Sequence, residues 1–352
     1  MDDESKTQHW SNSMTIREIA EKCGVSTATV DRVINGRGKV RPATEARVLD
    51  ELSAAGYSKN IAARALALRK DSPTIGVIVA SEGNPFFDEV LVGIRRAEAE
   101  LADLGVSVLL KTMRGYNAEK QLAKMEEMAE KVSALVLHPI DDPRIAAGIA
   151  DLAARGIPTI TVNSDLENSA RRCYVGSDYV KGGQTAAGLM RLATHGERKL
   201  GILTGVDTLL GHRQRLHGFE SHLEAFCPRI EIVDRRSAED DDERSYLATR
   251  DMLREHPEID TLQVIAAGLQ GVCAAVEEET RTRRLELFAF DNIPATEHKM
   301  QSGLLRAVVC QQPLQQGYQS VRAALDIVLS GTIASERLIM ENQICILENL
   351  SV

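Results

Sequence analysis

From residue 74 onwards the chain alternates between short, nearly continuous apolar runs and longer stretches whose apolar positions recur every three or four residues. TIGVIVA (74–80), VSVLLKTM (106–113), SALVLHPI (133–140) and IPTITVN (157–163) form a first series of runs. KLGILTGV (199–206), IEIVDR (230–235), TLQVIAA (261–267) and LELFAF (285–290) form a second, and LLRAVVC (304–310) comes last. Runs of this kind predict strands buried on both faces, and helical-period segments such as 87–104, 118–132 and 314–329 predict the helices that cover them. Strands alternating with helices predict βαβ units. About ten strands exceed what one such sheet usually holds, so two parallel-sheet lobes are expected.

Residues 15–56 carry no strand pattern. TIREIAEKCG, STATVDRVINGR and RPATEARVLDELSAAGY each hold a helical apolar stripe, stopped at Gly24, at Gly36 and Gly38, and at Gly56. Ser26 is placed to cap the second helix, and Val30, Val33 and Ile34 recur at helical spacing. That leaves Thr27, Ala28, Thr29, Asp31 and Arg32 on another face. Helix, Cys23-Gly24-Val25 turn, helix is a helix-turn-helix arrangement, whose second helix lies in the major groove of DNA. Thr27, Ala28 and Thr29 are small enough for a close approach to base edges, and Arg32 can reach a guanine or a phosphate. The stretch SKNIAARALALRKDSP (58–73) is helix-prone but too short to be stable alone, and predicts a conditional helix joining head to body.

Charge sharpens this division. The 352-residue chain has a formal net charge of −9, yet residues 14–70 hold 11 Lys and Arg against 6 Asp and Glu. A basic head on an acidic body fits a chain in which only the head meets phosphates. No apolar run approaches a membrane span, and MDDESKTQHW lacks the features of a signal peptide, so a cytoplasmic protein is expected. The six cysteines form no CxxC pair and fit reduced core residues.

The run TIREIAEKCGVSTATVDRVING, then VRPATEARVLDELSAAGY and N-x-x-A-R-x-L, closely resembles the head and hinge of the lac repressor family of bacterial transcription regulators over residues 15–68. The resemblance implies that Thr27, Ala28 and Arg32 read bases and that Ser26, Thr29 and Asn35 anchor the DNA backbone. It also implies that Asn60 opens a hinge helix, ordered on DNA, whose Leu66 wedges into the minor groove. An apolar wedge kinks the duplex at a cost met by added contacts. Asp31 departs from the Ser of many members, and a carboxylate beside phosphates is unfavourable unless it accepts from a cytosine amine or pairs with Arg32.

Residues 74–352 are similar to the type I periplasmic sugar-binding fold that this family carries. In such paired open sheets a ligand binds between the lobes at the carboxyl ends of strands. Asn84-Pro85-Phe86-Phe87 matches the family's NPFF motif, in which Asn donates to a hydroxyl and Phe stacks on a sugar face. Arg215 in RQRLHGF is implied as the fork for ligand oxygens, Asp291 as an acceptor of hydroxyl donors, and Gln311 as the family's closing Gln. Arg215 and Asp291 are expected to face one ligand from opposite sides of the cleft. Ribose-binding relatives carry Asp-Arg where this chain has Asn163-Ser164, and Asn where it has Gly268. Their second sugar-stacking aromatic gives way to the acidic run 239–243, which reads as a helix N-terminus.

The expected architecture is therefore a small all-α helix-turn-helix head followed by an α/β body of two parallel-sheet lobes. The boundaries are a disordered tail (1–13), the head (14–59), the hinge and linker (60–73) and the body (74–352). Lobe 1 is expected at about 74–162 and 292–325, and lobe 2 at about 163–291 and 326–352. The expected function is a homodimeric regulator, acting as a repressor on palindromic operator DNA and controlled by a sugar, polyol or sugar acid. A transport-type sugar-binding protein and an α/β enzyme are the alternatives. No GxGxxG follows a strand, no P-loop or GxSxG elbow occurs, and His138, His212 and His217 form no helical metal pair. Neither cofactor nor metal is expected.

Overall fold

The computed structural model describes residues 16–35, 40–54, 72–80, 82–102, 105–194, 197–279, 284–294 and 296–350. The tail, Asn60, Leu66 and the hinge helix lie outside these residues. The chain divides into two compact units, Met1–Arg69 and Lys70–Val352.

In the first unit, helices α1 (Ile16–Cys23), α2 (Thr27–Asn35) and α3 (Pro42–Ala54) enclose a core of Ile19, Ala20, Cys23, Val30, Val33 and Val48. The turn between α1 and α2 closes through Val25 N–H to the Ala20 carbonyl (3.0 Å). It needs Gly24, whose φ of +59° favours a residue without Cβ. Ser26 caps α2 by accepting from Thr29 N–H at 3.2 Å.

The described residues of the second unit form two six-stranded sheets. The first has the order β11-β5-β4-β3-β1-β2, built from β1 (Thr74–Val79), β2 (Ser107–Thr112), β3 (Ala134–Leu137), β4 (Thr159–Val162), β5 (Cys173–Ser177) and β11 (Arg337–Met340). The second runs β12-β10-β9-β8-β6-β7, from β6 (Arg198–Thr204), β7 (Ile230–Ser237), β8 (Thr261–Val264), β9 (Glu286–Phe290), β10 (Leu305–Cys310) and β12 (Gln343–Cys345). All pairings are parallel except β10 with β12. Apolar residues on both faces of each sheet pack under helices, as continuous apolar strands require.

The lobe boundaries differ from the expected ones. β5 pairs with β4, so lobe 1 continues past 163 to Ser177. β10 pairs with β9 and belongs to lobe 2, not to lobe 1. β11 pairs with β5, which puts 337–340 in lobe 1 while β12 stays in lobe 2. The long helix Pro313–Ser330 packs whole on the first sheet, Ile327 included. The chain thus crosses between lobes after Ser177, after Cys310 and after Met340.

Side chains tie these crossings together. Ser177 Oγ donates to the Gln311 carbonyl (3.4 Å), Gln312 Nε2 to the Glu341 carbonyl (2.9 Å) and Asn342 Nδ2 to the Asp178 carbonyl (3.0 Å). Each crossing is bonded to the other two.

Glycines set two close helix crossings. Helix Phe86–Ala102 meets Pro313–Ser330 at Gly93 and Gly317. In lobe 2, helix Tyr179–Thr194 meets Leu210–Phe226 at Gly183 and Gly218. A Cβ at Gly183 would lie 2.0 Å from the Arg215 carbonyl oxygen, so the glycine sets the height of the Arg215 backbone over the sheet. Five residues on, a Cβ at Gly188 would meet only His222 Nε2, at 3.7 Å. Gly183→Ala is therefore expected to destabilise the body by about 1–3 kcal/mol through overpacking. Gly188→Ala is expected to be neutral or to stabilise by up to ~1 kcal/mol through helix propensity. Equal midpoints for the two variants in denaturant unfolding would contradict this reading of the crossing.

Candidate functional sites

On the head, α2 presents Thr27, Ala28 and Arg32 to solvent, with Ser26 exposed and Thr29 half-buried beside it. Ser26 Oγ and Thr29 Oγ1 lie 2.9 Å apart. Asn35 ends the helix. The buried stripe of Val30 and Val33 thus holds a short-side-chained surface outward, with one guanidinium at its edge.

In the body, the carboxyl ends of both sheets face a cleft of about 790 Å³ that is continuous with solvent. Among the residues that line it are Asn84, Phe86, Phe87, Asn163, Arg215, Asp291 and Gln311. All seven of the residues anticipated for ligand binding meet in one place. Tyr116, His138, Ser164, Tyr179, His212 and Asp240, which are not among those anticipated ligand residues, line the same cleft.

Lobe 1 contributes the aromatic wall. Asn84 Oδ1 accepts from Phe86 N–H (3.1 Å) and starts helix Phe86–Ala102. Phe86 and Phe87 pack edge to face at 5.3 Å, and His138 lies 4.9 Å from Phe87. Both phenylalanines are also core residues, so the wall is rigid. Burial drives the His138 pKa down to about 3 and keeps its ring neutral, with both nitrogens lacking a partner among the described residues. Asn163 takes a positive φ of 62°, and its carbonyl accepts from the Tyr174 and Tyr179 hydroxyls at 2.9 and 2.8 Å.

Lobe 2 carries the charges. Arg215 is buried, its guanidinium 4.0 Å over Phe290 and 4.9 Å over Tyr179, with Nη1 donating to the Ile265 carbonyl (2.5 Å). Asp291 follows β9 with a φ of 65° and accepts from Gln311 Nε2 at 2.6 Å. Burial raises its pKa from 3.8 to about 6, partly offset by Arg215 and by the bond from Gln311. Arg215 and Asp291 thus stand on the same wall, not on opposite sides of the cleft. The reason is topological: helix Leu210–Phe226 follows β6 and Asp291 follows β9, both strands of the second sheet.

Gln316, buried on helix Pro313–Ser330, connects the walls. Its Nε2 donates to the Gln311 carbonyl (2.8 Å) and its Oε1 accepts from Asn163 Nδ2 (3.1 Å). At the outer rim the Tyr116 hydroxyl donates to Asp240 Oδ2 (3.0 Å), Asp141 N–H donates to the Thr208 carbonyl (2.9 Å), and Arg213 pairs with Asp141. Among the described residues the non-glycine positions with positive φ are Asn163, Asp240 and Asp291, which line the cleft, Gln312 at a crossing, and Glu239 next to Asp240. Strained backbone concentrated in this way marks a site whose side chains are held for a purpose other than packing. No group of three or more metal-ligating side chains occurs among the described residues.

Residues 75–332 match the family described as periplasmic binding protein domain, and residues 15–60 match bacterial regulatory proteins, lacI family. The HTH-type transcriptional regulator CelR of Thermobifida fusca is 26% identical over 95% of this chain and 98% of its own length. The ribose import binding protein RbsB of Bacillus subtilis is 27% identical over 72% of this chain and 81% of its own. Among solved structures, GanP, a glucose-galactose binding protein from Geobacillus stearothermophilus, superposes with a TM-score of 0.74. It covers 80% of this chain and 100% of its own at 23% identity, a likeness of fold.

The state of Asp291 gives the body a pH signature. Because folding raises this pKa, ionising the carboxyl costs the folded chain stability as pH rises from 3.8 through about 6. Between about pH 5 and pH 8, wild type is expected to lose ~1 kcal/mol relative to Asp291→Asn. Denaturant unfolding of both proteins across that range measures the difference; parallel stability profiles would contradict it.

Proposed function

The chain belongs to the periplasmic binding protein domain family by its body and to the lacI family of bacterial regulatory proteins by its head, and we propose that a small polyhydroxylated effector in the cleft sets its hold on operator DNA. It is a DNA-binding transcription regulator, read here as a cytoplasmic homodimer that represses from a palindromic operator. Two-fold symmetry in the protein is matched by palindromy in the site. Among the described residues no helix is long and apolar enough to cross a membrane.

One observation carries the effector reading. Ser164 Oγ, Arg215 Nε, Asp291 Oδ1, Gln311 Oε1 and both His138 nitrogens are buried, belong to residues that line the cleft and have no hydrogen-bond partner among the described residues. Leaving each unmet costs about 1–3 kcal/mol. Donors and acceptors are mixed, which suits hydroxyls that both give and accept, and Phe86 and Phe87 offer an apolar face to C–H groups. A transport-type binding protein would suit the body alone. The lacI match over residues 15–60, with Thr27, Ala28 and Arg32 exposed on α2, favours the regulator, and an enzyme has no comparable support.

A ligand that touches both walls stabilises the closed arrangement of lobes and shifts the population that binds operator. Asn84, Asn163 and Gln311 are assigned to ligand hydroxyls, and Ser26, Thr29 and Asn35 to DNA phosphates. A thermal-shift screen of sugars and polyols tests the effector reading, since a selective binder raises the midpoint. Selection of duplexes from a random pool tests the head. Failure to retain any palindromic duplex would overturn the regulator, and a screen without a hit would overturn the effector class.

Two substitutions separate the sites. Arg215→Ala is expected to weaken the ligand found in the screen by about 1–3 kcal/mol while leaving operator affinity in place. Arg32→Ala is expected to weaken operator binding by about 1–3 kcal/mol and relax one base preference. Equal loss on every duplex would make Arg32 a phosphate contact; an unchanged ligand response in Arg215→Ala would place the effector elsewhere.

A further inference from the structure

Asp240 belongs to the acidic run 239–243 but does not cap the helix that follows. The cap is its neighbour Asp241, whose carboxylate accepts from Arg244 N–H (3.0 Å) at the start of helix Asp242–Glu255. Two successive left-handed residues, Glu239 (φ 51°) and Asp240 (φ 61°), turn the Asp240 side chain away from that helix and into the cleft. There its side chain is 5% exposed. Oδ1 accepts from Ala267 N–H (3.1 Å), and Oδ2 accepts from the Tyr116 hydroxyl across the cleft (3.0 Å).

The charges of the lining residues do not balance. Asp240, Asp242 and Asp291 stand against Arg215 alone. Arg215 gives Nη1 to the Ile265 carbonyl and lies over two aromatic faces, and its charge acts on the Asp291 carboxylate. The two imidazoles of the lining do not redress this. Burial lowers the pKa of both His138 and His212, although Asp240, 3.9 Å from His212 Nδ1, works the other way. Neutral rings leave Asp240 without a buried cation opposite it among the described lining residues. A carboxylate or phosphate brought into this corner would meet uncompensated like charge, whereas a hydroxyl or an ammonium group would meet acceptors.

We infer that Asp240 is a specificity-determining residue that restricts the cleft to uncharged or ammonium-bearing polyhydroxy ligands and rejects sugar acids and sugar phosphates. This rests on the effector reading above and narrows it.

The test uses the full chain and sets of ligands matched in all but charge: D-glucose, D-glucosamine and D-glucuronate; D-galactose, D-galactosamine and D-galacturonate; D-ribose and D-ribose 5-phosphate. Affinities come from calorimetric titration of wild type, Asp240→Asn and Tyr116→Phe. Asparagine is isosteric and tolerates the left-handed backbone at 240, so the fold is kept. In wild type, the neutral or amino member of at least one set is expected to bind, and the anionic member of that set at least about tenfold more weakly. Asp240→Asn is expected to narrow that ratio by about tenfold, and Tyr116→Phe, which keeps the carboxylate, to preserve the rejection.

An acid or phosphate that binds wild type as tightly as its neutral partner would overturn the inference and leave the effector reading standing. An unchanged ratio in Asp240→Asn would remove the role of Asp240. No binding by any member would overturn both the inference and the effector reading. The wild-type ratio decides the charge class even if both variants fold poorly.

Discussion

The body depends on one residue, Gln311, that bonds in two directions, through its side-chain amide and through its backbone carbonyl. Gln311 leaves β10 at the second crossing, donates its amide to Asp291 on the lobe 2 wall and offers its own carbonyl to Gln316 in lobe 1. Through Gln316 the connection continues to Asn163. Every group in this chain of bonds is buried, so each member left unpaired carries a penalty of about 1–3 kcal/mol. The walls of the cleft therefore hold a defined distance at their hinge side. A ligand that bonds to Asp291 or Gln311 acts on the same groups that join the lobes.

Packing fixes the rest of the site by plainer means. Glycine crossings bring helix pairs within backbone contact in each lobe, and the lobe 2 crossing falls at the Arg215 carbonyl. Arg215 is then clamped between Phe290 and Tyr179, so its guanidinium is presented rather than free to swing. Preorganisation of this kind lowers the ordering cost of binding. The aromatic wall opposite is likewise part of the core, which explains how two phenylalanines serve packing and cleft at once.

Most of the fold was legible because buried parallel strands are continuous apolar runs. Nine runs became strands; β5, β11 and β12 did not stand out. CYVGS is short and interrupted by glycine, and RLIM and QIC lie at sheet edges, where exposure removes the need for an unbroken apolar pattern. Missing them shifted the lobe boundaries. The site was legible wherever strand ends were. Asp240 was missed because β7, an edge strand with polar residues Arg235–Ser237, runs past the point where its apolar pattern stops. Gln316 was missed for a different reason: a glutamine on a helix reads as solvated, whereas this one is fully buried and bonded to Gln311 and Asn163. Asn60 and Leu66 rest on resemblance alone.

The central claim is that occupation of the cleft and binding of operator share free energy. Linkage requires the coupling to be reciprocal: if the ligand changes operator affinity, the operator changes ligand affinity by the same factor. The most direct measurement is the affinity of the full chain for its thermal-shift ligand, by calorimetric titration, with and without saturating operator duplex. The account expects the two affinities to differ by at least about fivefold, a typical lower bound for coupled sites. Identical affinities in the presence and absence of operator would contradict it.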